Sequence, residues 1–275
     1  MKFKKIFFLI IILTFTFITT SCNKKEEPFF KEKGTEVTYD EIYNHFLERT
    51  IDILGPEEEF ESYPDYVYVY NSYTKSNKKQ GETIDNYEIN EHNTSKNDSI
   101  NKIFYEKINS DEHYEKGNNS ENISISDKDT LSEYQYQLES SNNIRIDINN
   151  KNYSIDNEKF IYNNLSNNGF SDFFTNWLGN SRPIDGRKYY VNNNIYTIAL
   201  DINDADYGRK ITSTIQYIFN DNEASMKMQY TKEEIFSNDN IVNTLYYYYE
   251  AESNIIFKTT NLKPIDITGY TLIES

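Results

Sequence analysis

The feature that most constrains the fold is the repeated alternation of runs rich in Tyr, Val, Ile and Thr with turn-forming Asn, Asp and Gly, which begins at Tyr66 and continues to Thr259. β-Branched and aromatic residues favour strands, whereas Asn and Asp tolerate the left-handed backbone of tight turns. The clearest run is Ile-Arg-Ile-Asp-Ile at 144–148. Because successive side chains of a strand point to opposite faces, this run predicts a strand with one apolar and one solvated face.

Short polar connections between these runs predict that consecutive strands are antiparallel neighbours. The stretch 75–130 is more polar; it is expected to form long hairpins with flexible ends, including strands over 84–89 and 100–108, and residues 110–127 are expected to lack regular structure. The predicted turns lie at 149–152, 156–157, 192–194, 220–223 and 252–254.

Two segments have helical spacing instead. Thr38-Tyr39-Asp40-Glu41 reads as a capping box, in which Thr38 and Glu41 satisfy each other's backbone N–H groups, and it predicts an amphipathic helix over 39–54 that ends at Gly55-Pro56. The second segment follows Ser171 as N-cap and ends at Gly179. Its apolar residues, together with the preceding Phe170, are Phe173, Phe174, Trp177 and Leu178.

These elements together predict an α+β protein, mainly an antiparallel β-meander forming a curved sheet, with an N-terminal amphipathic helix and one short apolar helix. A single β-rich domain over 37–275 accommodates all of them, and it includes the polar, partly flexible stretch at 75–130.

The start of the chain carries a different pattern. The basic stretch 1–5 precedes an apolar run from Ile6 to Ile18, which ends at Thr19-Thr20-Ser21-Cys22 and contains the only cysteine of the chain. At about 1.5 Å per helical residue this run is too short for a ~30 Å hydrocarbon core. It resembles a bacterial lipoprotein signal, although Thr19 stands where that family prefers an aliphatic residue. The resemblance implies a signal peptide over 1–21, a palmitate-type lipid on Cys22 and a polar tether over 22–36. The alternative is an ordinary secretory signal cleaved elsewhere.

Charge limits the partners of the mature chain. Loss of residues 1–21 removes three lysines, which leaves 25 basic residues of 28 against 44 acidic ones, a formal charge of −19. Such a chain is repelled by phosphate backbones and anionic head groups, so nucleic acid is excluded as a partner and the lipid alone is expected to hold the protein to a membrane of the bacterial cell envelope.

No catalytic or metal-binding pattern emerges from the remaining residues. The three histidines, His45, His92 and His113, lack metal-ligand spacing, and the acidic run 201–208 places Ala205 where an EF-hand needs an oxygen ligand. We therefore expect no catalytic residues, no metal and no cofactor. The run Tyr246-Tyr247-Tyr248-Tyr249 allows a stacking platform for sugars or a strand with aromatic residues on both faces.

The order of elements over 38–262 is similar to that of LolA/LppX-like lipoproteins, a resemblance that implies a curved sheet enclosing a hydrophobic cavity. The expected function is that of a non-enzymatic binding or interaction module. One alternative is a carrier of an apolar ligand or lipid, in which Phe170, Phe173, Phe174 and Trp177 line the cavity; packing of these residues as plain core is the competing interpretation. Another is an envelope hydrolase that uses carboxylates not identifiable from sequence.

Overall fold

The chain forms one large sheet of 13 strands, mainly antiparallel, and a single helix in the part that the structure, a computed structural model, describes: residues 28–54, 65–118, 122–139, 142–156, 182–206, 208–238 and 241–273. The protein is therefore mainly β, as the alternating runs predict. The short apolar helix predicted after Ser171 lies outside the described residues, as do Gly55-Pro56 and Asn157 of the turn predicted at 156–157. The elements are β1 (Thr35–Val37), α1 (Tyr39–Leu54), β2 (Tyr66–Gln80), β3 (Thr83–Asp98), β4 (Ile103–Gly117), β5 (Ile123–Glu139), β6 (Asn142–Asp147), β7 (Asn152–Asp156), β8 (Arg187–Asn192), β9 (Ile195–Asp204), β10 (Arg209–Asn220), β11 (Glu223–Asn238), β12 (Ile241–Phe257) and β13 (Thr271–Leu272).

Two consecutive meanders make up the sheet. Strands β2 to β7 follow one another in space, as do β8 to β12, and the two meanders join where β12 pairs antiparallel with β2. At the outer ends, β1 pairs with β8, and β13 pairs in parallel with β7. The full order is β1-β8-β9-β10-β11-β12-β2-β3-β4-β5-β6-β7-β13.

Helix α1 begins at the predicted capping box. The Thr38 N–H donates to Glu41 Oε2 at 2.8 Å, and the Glu41 N–H donates to Thr38 Oγ1 at 3.3 Å. Ile42 and Phe46 are buried, whereas Leu47 is 44% exposed, so the helix is amphipathic as predicted. The capping box and the helix bounds are both confirmed.

The main core lies between α1 and one face of the sheet, which we call the helix face. The Phe46 ring contacts the rings of Tyr217 and Phe219 at centroid distances of 5.3 and 5.1 Å, both edge-on. Aromatic pairs in this geometry add to the burial energy. The other buried members of the cluster are Ile42, Tyr66, Tyr68, Tyr189, Tyr196, Ile198, Ile215, Ala224, Met226 and Ile255.

The opposite face, which we call the tail face, is crossed by the C-terminal segment 258–273. The Leu262 N–H donates to the buried carboxylate of Asp98 at 2.8 Å. Gln135 donates from Nε2 to the Lys263 carbonyl at 3.1 Å and accepts the Ile265 N–H at 3.0 Å. Helix α1 thus packs on the second meander, while the C-terminal segment packs on the first.

Two sequence predictions are wrong. The turn predicted at 252–254 is the interior of β12, where Ser253 is fully buried opposite Met226 and Tyr70 and accepts a hydrogen bond from Tyr68 at 3.4 Å. A small side chain fits between these larger neighbours, so the polar triplet stays in the strand.

Residues 110–127 were expected to lack regular structure, but β4 and β5 cover most of them; 119–121 lie outside the described residues. Cross-strand pairs hold this hairpin, including Lys128 with Glu112 at 3.7 Å. The hairpins predicted within 75–130 are present.

Candidate functional site

The ligand-site residues proposed from the sequence, Phe170, Phe173, Phe174 and Trp177, lie outside the described residues, and so does Cys22. The candidate site therefore has to be built from other parts of the chain. The sheet itself provides one, because its two halves are covered differently.

Both covering elements lie at one end of the sheet, which we call the proximal half. The distal half is the end at which β2, β4 and β11 finish; it comprises 71–80, 83–92, 109–117, 123–132, 230–238 and 241–250. Isolated sheets need a buried face or a second layer for stability. Among the described residues, neither covering element reaches the distal half; tyrosines of the sheet cover part of its helix face, on which Phe236 and Ile241 are 40% and 48% exposed.

Tyrosines cover part of the helix face of the distal half. We define the tyrosine surface as Tyr87, Tyr114, Tyr230, Tyr247 and Tyr249, which the strand registers place on this face. The rings of Tyr230 and Tyr247 are 5.7 Å apart, and those of Tyr87 and Tyr114 are 6.1 Å apart. Such cross-strand aromatic pairs stabilise a sheet directly.

Small residues of β2 lie beneath this layer. Ser76 is placed between Tyr247 of β12 and Tyr87 of β3, and it is only 6% exposed. Burial raises the pKa of Tyr247, and the neighbouring Tyr87 raises it further. Burial also raises the pKa of Tyr249, whose hydroxyl is bonded to that of Tyr70. Burial thus favours the neutral form of Tyr247 and of Tyr249, and both rings serve as structural cover.

The run 246–249 consequently has side chains on both faces of β12. Tyr247 and Tyr249 belong to the tyrosine surface, whereas Tyr246 and Tyr248 point to the tail face, where Tyr248 packs on Tyr73 at 5.8 Å. Of the two interpretations drawn from the sequence, the strand with aromatic residues on both faces is confirmed.

The tail face of the distal half exposes large aliphatic side chains. Ile125 is 63% exposed, Leu131 54%, and Val242 62%, and Ile123 and Ile235 share this face with them. Near the tip, an open groove of about 460 Å³ is lined by both apolar and charged residues. Its lining residues are Asn77, Lys78, Lys79, Ile84, Asn86, Glu233, Glu234, Ile235, Thr244, Leu245 and Tyr246.

A row of charged residues crosses the same face. Lys75, Glu88, His113 and Asp127 are consecutive cross-strand neighbours on β2 to β5. Lys75 Nζ lies 3.3 Å from Glu88 Oε2, and His113 Nδ1 lies 2.6 Å from Asp127 Oδ1. The hydrogen bond to Asp127 raises the pKa of His113. This face therefore combines exposed aliphatic groups with ordered charge, as macromolecular contact surfaces do.

A second, smaller cleft lies on the helix face near β6 and β7. It has a volume of about 130 Å³, and the Arg145 guanidinium lies 4.2 Å from the Tyr134 ring centroid. On the neighbouring β4, burial raises the pKa of Glu106, and the positive charge of Arg145 offsets part of this rise. One carboxyl group with a cationic neighbour does not make the pair of carboxylates that glycoside hydrolysis needs.

No group of three or more His, Cys, Asp or Glu residues in the described part of the chain is placed to hold a metal ion. His45 is half exposed on α1, in line with the sequence, and β9 continues to Asp204, where Arg209 lies 3.7 Å from its carboxylate. His45 and the acidic run 201–208 were considered above as possible metal ligands, and the positions of His45 and Asp204 are structural.

The sequence did not single out the aliphatic side chains of the distal tail face. The signal was present in the alternation Ile-Ser-Ile-Ser at 123–126, but it lies in a segment whose polar composition pointed away from a strand. Among the described residues no helix has the length and apolarity to cross a membrane. No protein-family model and no curated protein matches this chain.

Proposed function

We propose that the protein is a cell-envelope lipoprotein, anchored through Cys22, that binds another macromolecule on the distal tail face and has no enzymatic activity. The observation that carries this proposal is the set of aliphatic side chains on that face that are more than half exposed: Ile125, Leu131, Ile235 and Val242. Large aliphatic groups that are exposed together on one face of a sheet are typical of a contact surface.

The remaining parts of the proposal rest on the sequence. The signal over 1–21 and the polar segment after Cys22 would hold the domain near, but not against, an anionic membrane, because the mature chain has a formal charge of −19 after loss of three basic residues from 28, with 44 acidic ones. The tether is shorter than the predicted 22–36, because β1 begins at Thr35 and pairs with β8. The proposal includes the short apolar helix predicted after Ser171, which together with α1 gives the α+β class.

The anchor is tested by metabolic labelling with a palmitate analogue. We expect the wild-type chain to be labelled and to fractionate with membranes, and Cys22→Ser to lose both properties. Label that persists in Cys22→Ser would show that the lipid is attached elsewhere or that the signal is of another type.

The contact surface is tested by placing a photo-crosslinking amino acid at single positions of the chain in cells. Ile125 and Val242 sample the distal tail face, and Ile100, 76% exposed in the turn between β3 and β4, is a matched control at the proximal end. We expect a discrete adduct shared by the two distal positions and absent at Ile100. Equal adducts at all three positions, or none, would contradict the proposal.

A further inference from the structure

Strand β5 is far longer than the strand that pairs with its outer side. β5 runs from Ile123 to Glu139, but β6 pairs with it only over 134–139. Over 123–131, β4 lies on one side, and no strand of the described chain lies on the other. At ~3.4 Å per residue this open edge is about 27 Å long.

The outward backbone groups of this edge can be identified. The Glu133 carbonyl accepts the Ile148 N–H at 2.9 Å, and the Leu131 carbonyl accepts Asn149 Nδ2 at 3.2 Å, both from the side of β6. Leu138 is an even-numbered residue, and its N–H donates to the Lys102 carbonyl, on the side of β4. The backbone N–H and C=O groups of successive residues in a strand point to opposite sides. The N–H groups of the odd-numbered residues of β5 therefore face the open side. They belong to Ile123, Ile125, Asp127, Asp129 and Leu131.

The other edges of the sheet are short. β1 has three residues and β13 has two, so little unpaired backbone is offered at the ends of the strand order. Native sheets usually shorten or cover their edges in this way, because an open edge is a template for another strand. Within the described part of the sheet, the long β5 edge is the exception.

The side chains beside the open edge alternate in character. On the tail face lie Ile125, Asp127, Asp129 and Leu131, with the Asp127 side chain 72% exposed. On the helix face lie small hydroxyl residues and Lys128. A strand added here would meet an apolar, two acidic and a further apolar side chain on the tail face, in that order.

These charges disfavour a second copy of the chain as the occupant. Antiparallel pairing of two β5 edges centred near Lys128 would bring Asp127 and Asp129 of one copy against the same residues of the other. Like charges directly opposite each other destabilise strand pairing, and the complete chain has a formal charge of −16. A partner strand with basic side chains opposite Asp127 and Asp129 is attracted to these carboxylates instead of repelled.

We propose that the open β5 edge binds an extended peptide segment by strand addition, and that the segment has the pattern apolar-x-basic-x-basic-x-apolar. This proposal rests on the proposed binding function and specifies its partner. The basic side chains lie against Asp127 and Asp129, the apolar ones against Ile125 and Leu131, and small residues against the helix face. Main-chain hydrogen bonds supply affinity in such complexes, and alternate side chains supply specificity. The pattern is palindromic, so it fits in either strand direction.

The test uses the full-length chain in detergent micelles and a fluorescein-labelled peptide of sequence Ser-Val-Thr-Lys-Ser-Lys-Thr-Val-Ser, followed by fluorescence anisotropy. We expect saturable binding, at least about tenfold tighter than that of a scrambled peptide of the same composition and of a peptide with Glu in place of Lys. Equal binding of the scrambled peptide would reduce the effect to charge attraction and overturn the proposal.

Two variants of the chain separate edge pairing from general charge. Asp127→Lys combined with Asp129→Lys should weaken binding of the Lys peptide about tenfold or more and create binding of the Glu peptide. Asp206→Lys combined with Asp221→Lys makes the same change of net charge in exposed turns and should leave binding unchanged.

Ile125→Pro removes one outward N–H, which an edge strand tolerates, and should abolish binding with an unchanged circular dichroism spectrum. Binding that survives both edge variants would overturn the proposal. If the peptide fails while the crosslinks at Val242 persist, strand addition is wrong and the binding function stands; if the crosslinks also fail, the function is wrong as well.

Discussion

Replacing Asp98 by Asn tests how the C-terminal segment is held on the tail face. The Asp98 carboxylate is 1% exposed and accepts the backbone N–H and the side-chain amide of Asn101 at 2.9 and 2.8 Å, and the Leu262 N–H at 2.8 Å. Burial raises the pKa of Asp98, but these hydrogen bonds outweigh it, so that the pKa lies below its ordinary value. The charged form is therefore the one that the folded state needs.

The expected loss follows from these contacts. A hydrogen bond to a charged group contributes about 1.5–3 kcal/mol, and the Asn amide turns a donor towards groups that are themselves donors. We expect Asp98→Asn to lower the free energy of unfolding by about 3 kcal/mol, which for a chain of this size lowers Tm by about 6–12 °C. Calorimetry measures the Tm, and hydrogen exchange over 258–265 reports the segment itself. The matched variant is Asp266→Asn, an exposed aspartate in the same segment, which should change Tm by less than about 2 °C.

The effect also has a direction in pH. Because the folded pKa of Asp98 is depressed, its contribution to stability is fully present above the ordinary aspartate value of 3.8 and fades as the pH falls through the folded pKa. The Tm difference between the wild type and Asp98→Asn should therefore be constant near neutral pH and shrink below pH 3.8. A difference that persists in acid, or unchanged exchange of Leu262, would refute the role given to this carboxylate.

Two further predictions address the core and the distal half. Phe46→Ala should lower the free energy of unfolding by about 3–5 kcal/mol in urea titrations, since Phe46 is 4% exposed among aromatic rings, whereas Leu47→Ala, at 44% exposure, should cost much less; equal losses would refute the assigned helix orientation. Asp127→Asn should lower the raised pKa of His113 towards 6.5 in an NMR titration, and an unchanged value would contradict the pairing. Because that pKa is raised in the fold, the pair stabilises the protein below pH 6.5 and ceases to do so as the pH rises through the folded pKa.

Local patterns in the sequence were sufficient for part of this fold. The capping box at Thr38 specifies the start of α1 through contacts between neighbouring residues, which a sequence shows directly. The turn at 149–152 is likewise local, and Lys151 adopts the left-handed backbone there, with φ of 52°. Both were predicted because their physical causes lie within a few residues.

Features that depend on strand order were not predictable. Ser253 stays in β12 because Met226 and Tyr70 flank it, and neither neighbour is evident from its own sequence context. The open edge at 123–131 arises only because β6 stops short of it, which the alternation at Ile123 and Ile125 does not reveal. The candidate surface is thus a product of tertiary arrangement and not of a motif.

Each meander is covered by a segment from the far end of the chain, and this has a consequence for the order of folding. The first meander, β2 to β7, is completed by the last residues of the chain through Leu262, whereas the second is completed by α1 near the beginning. During synthesis from the N-terminus, β2 to β7 therefore emerge before the segment that satisfies Asp98 and Gln135, and α1 emerges before the strands it covers. The first meander therefore cannot reach its final packing until the last residues of the chain are released, whereas the second needs only α1 and its own strands.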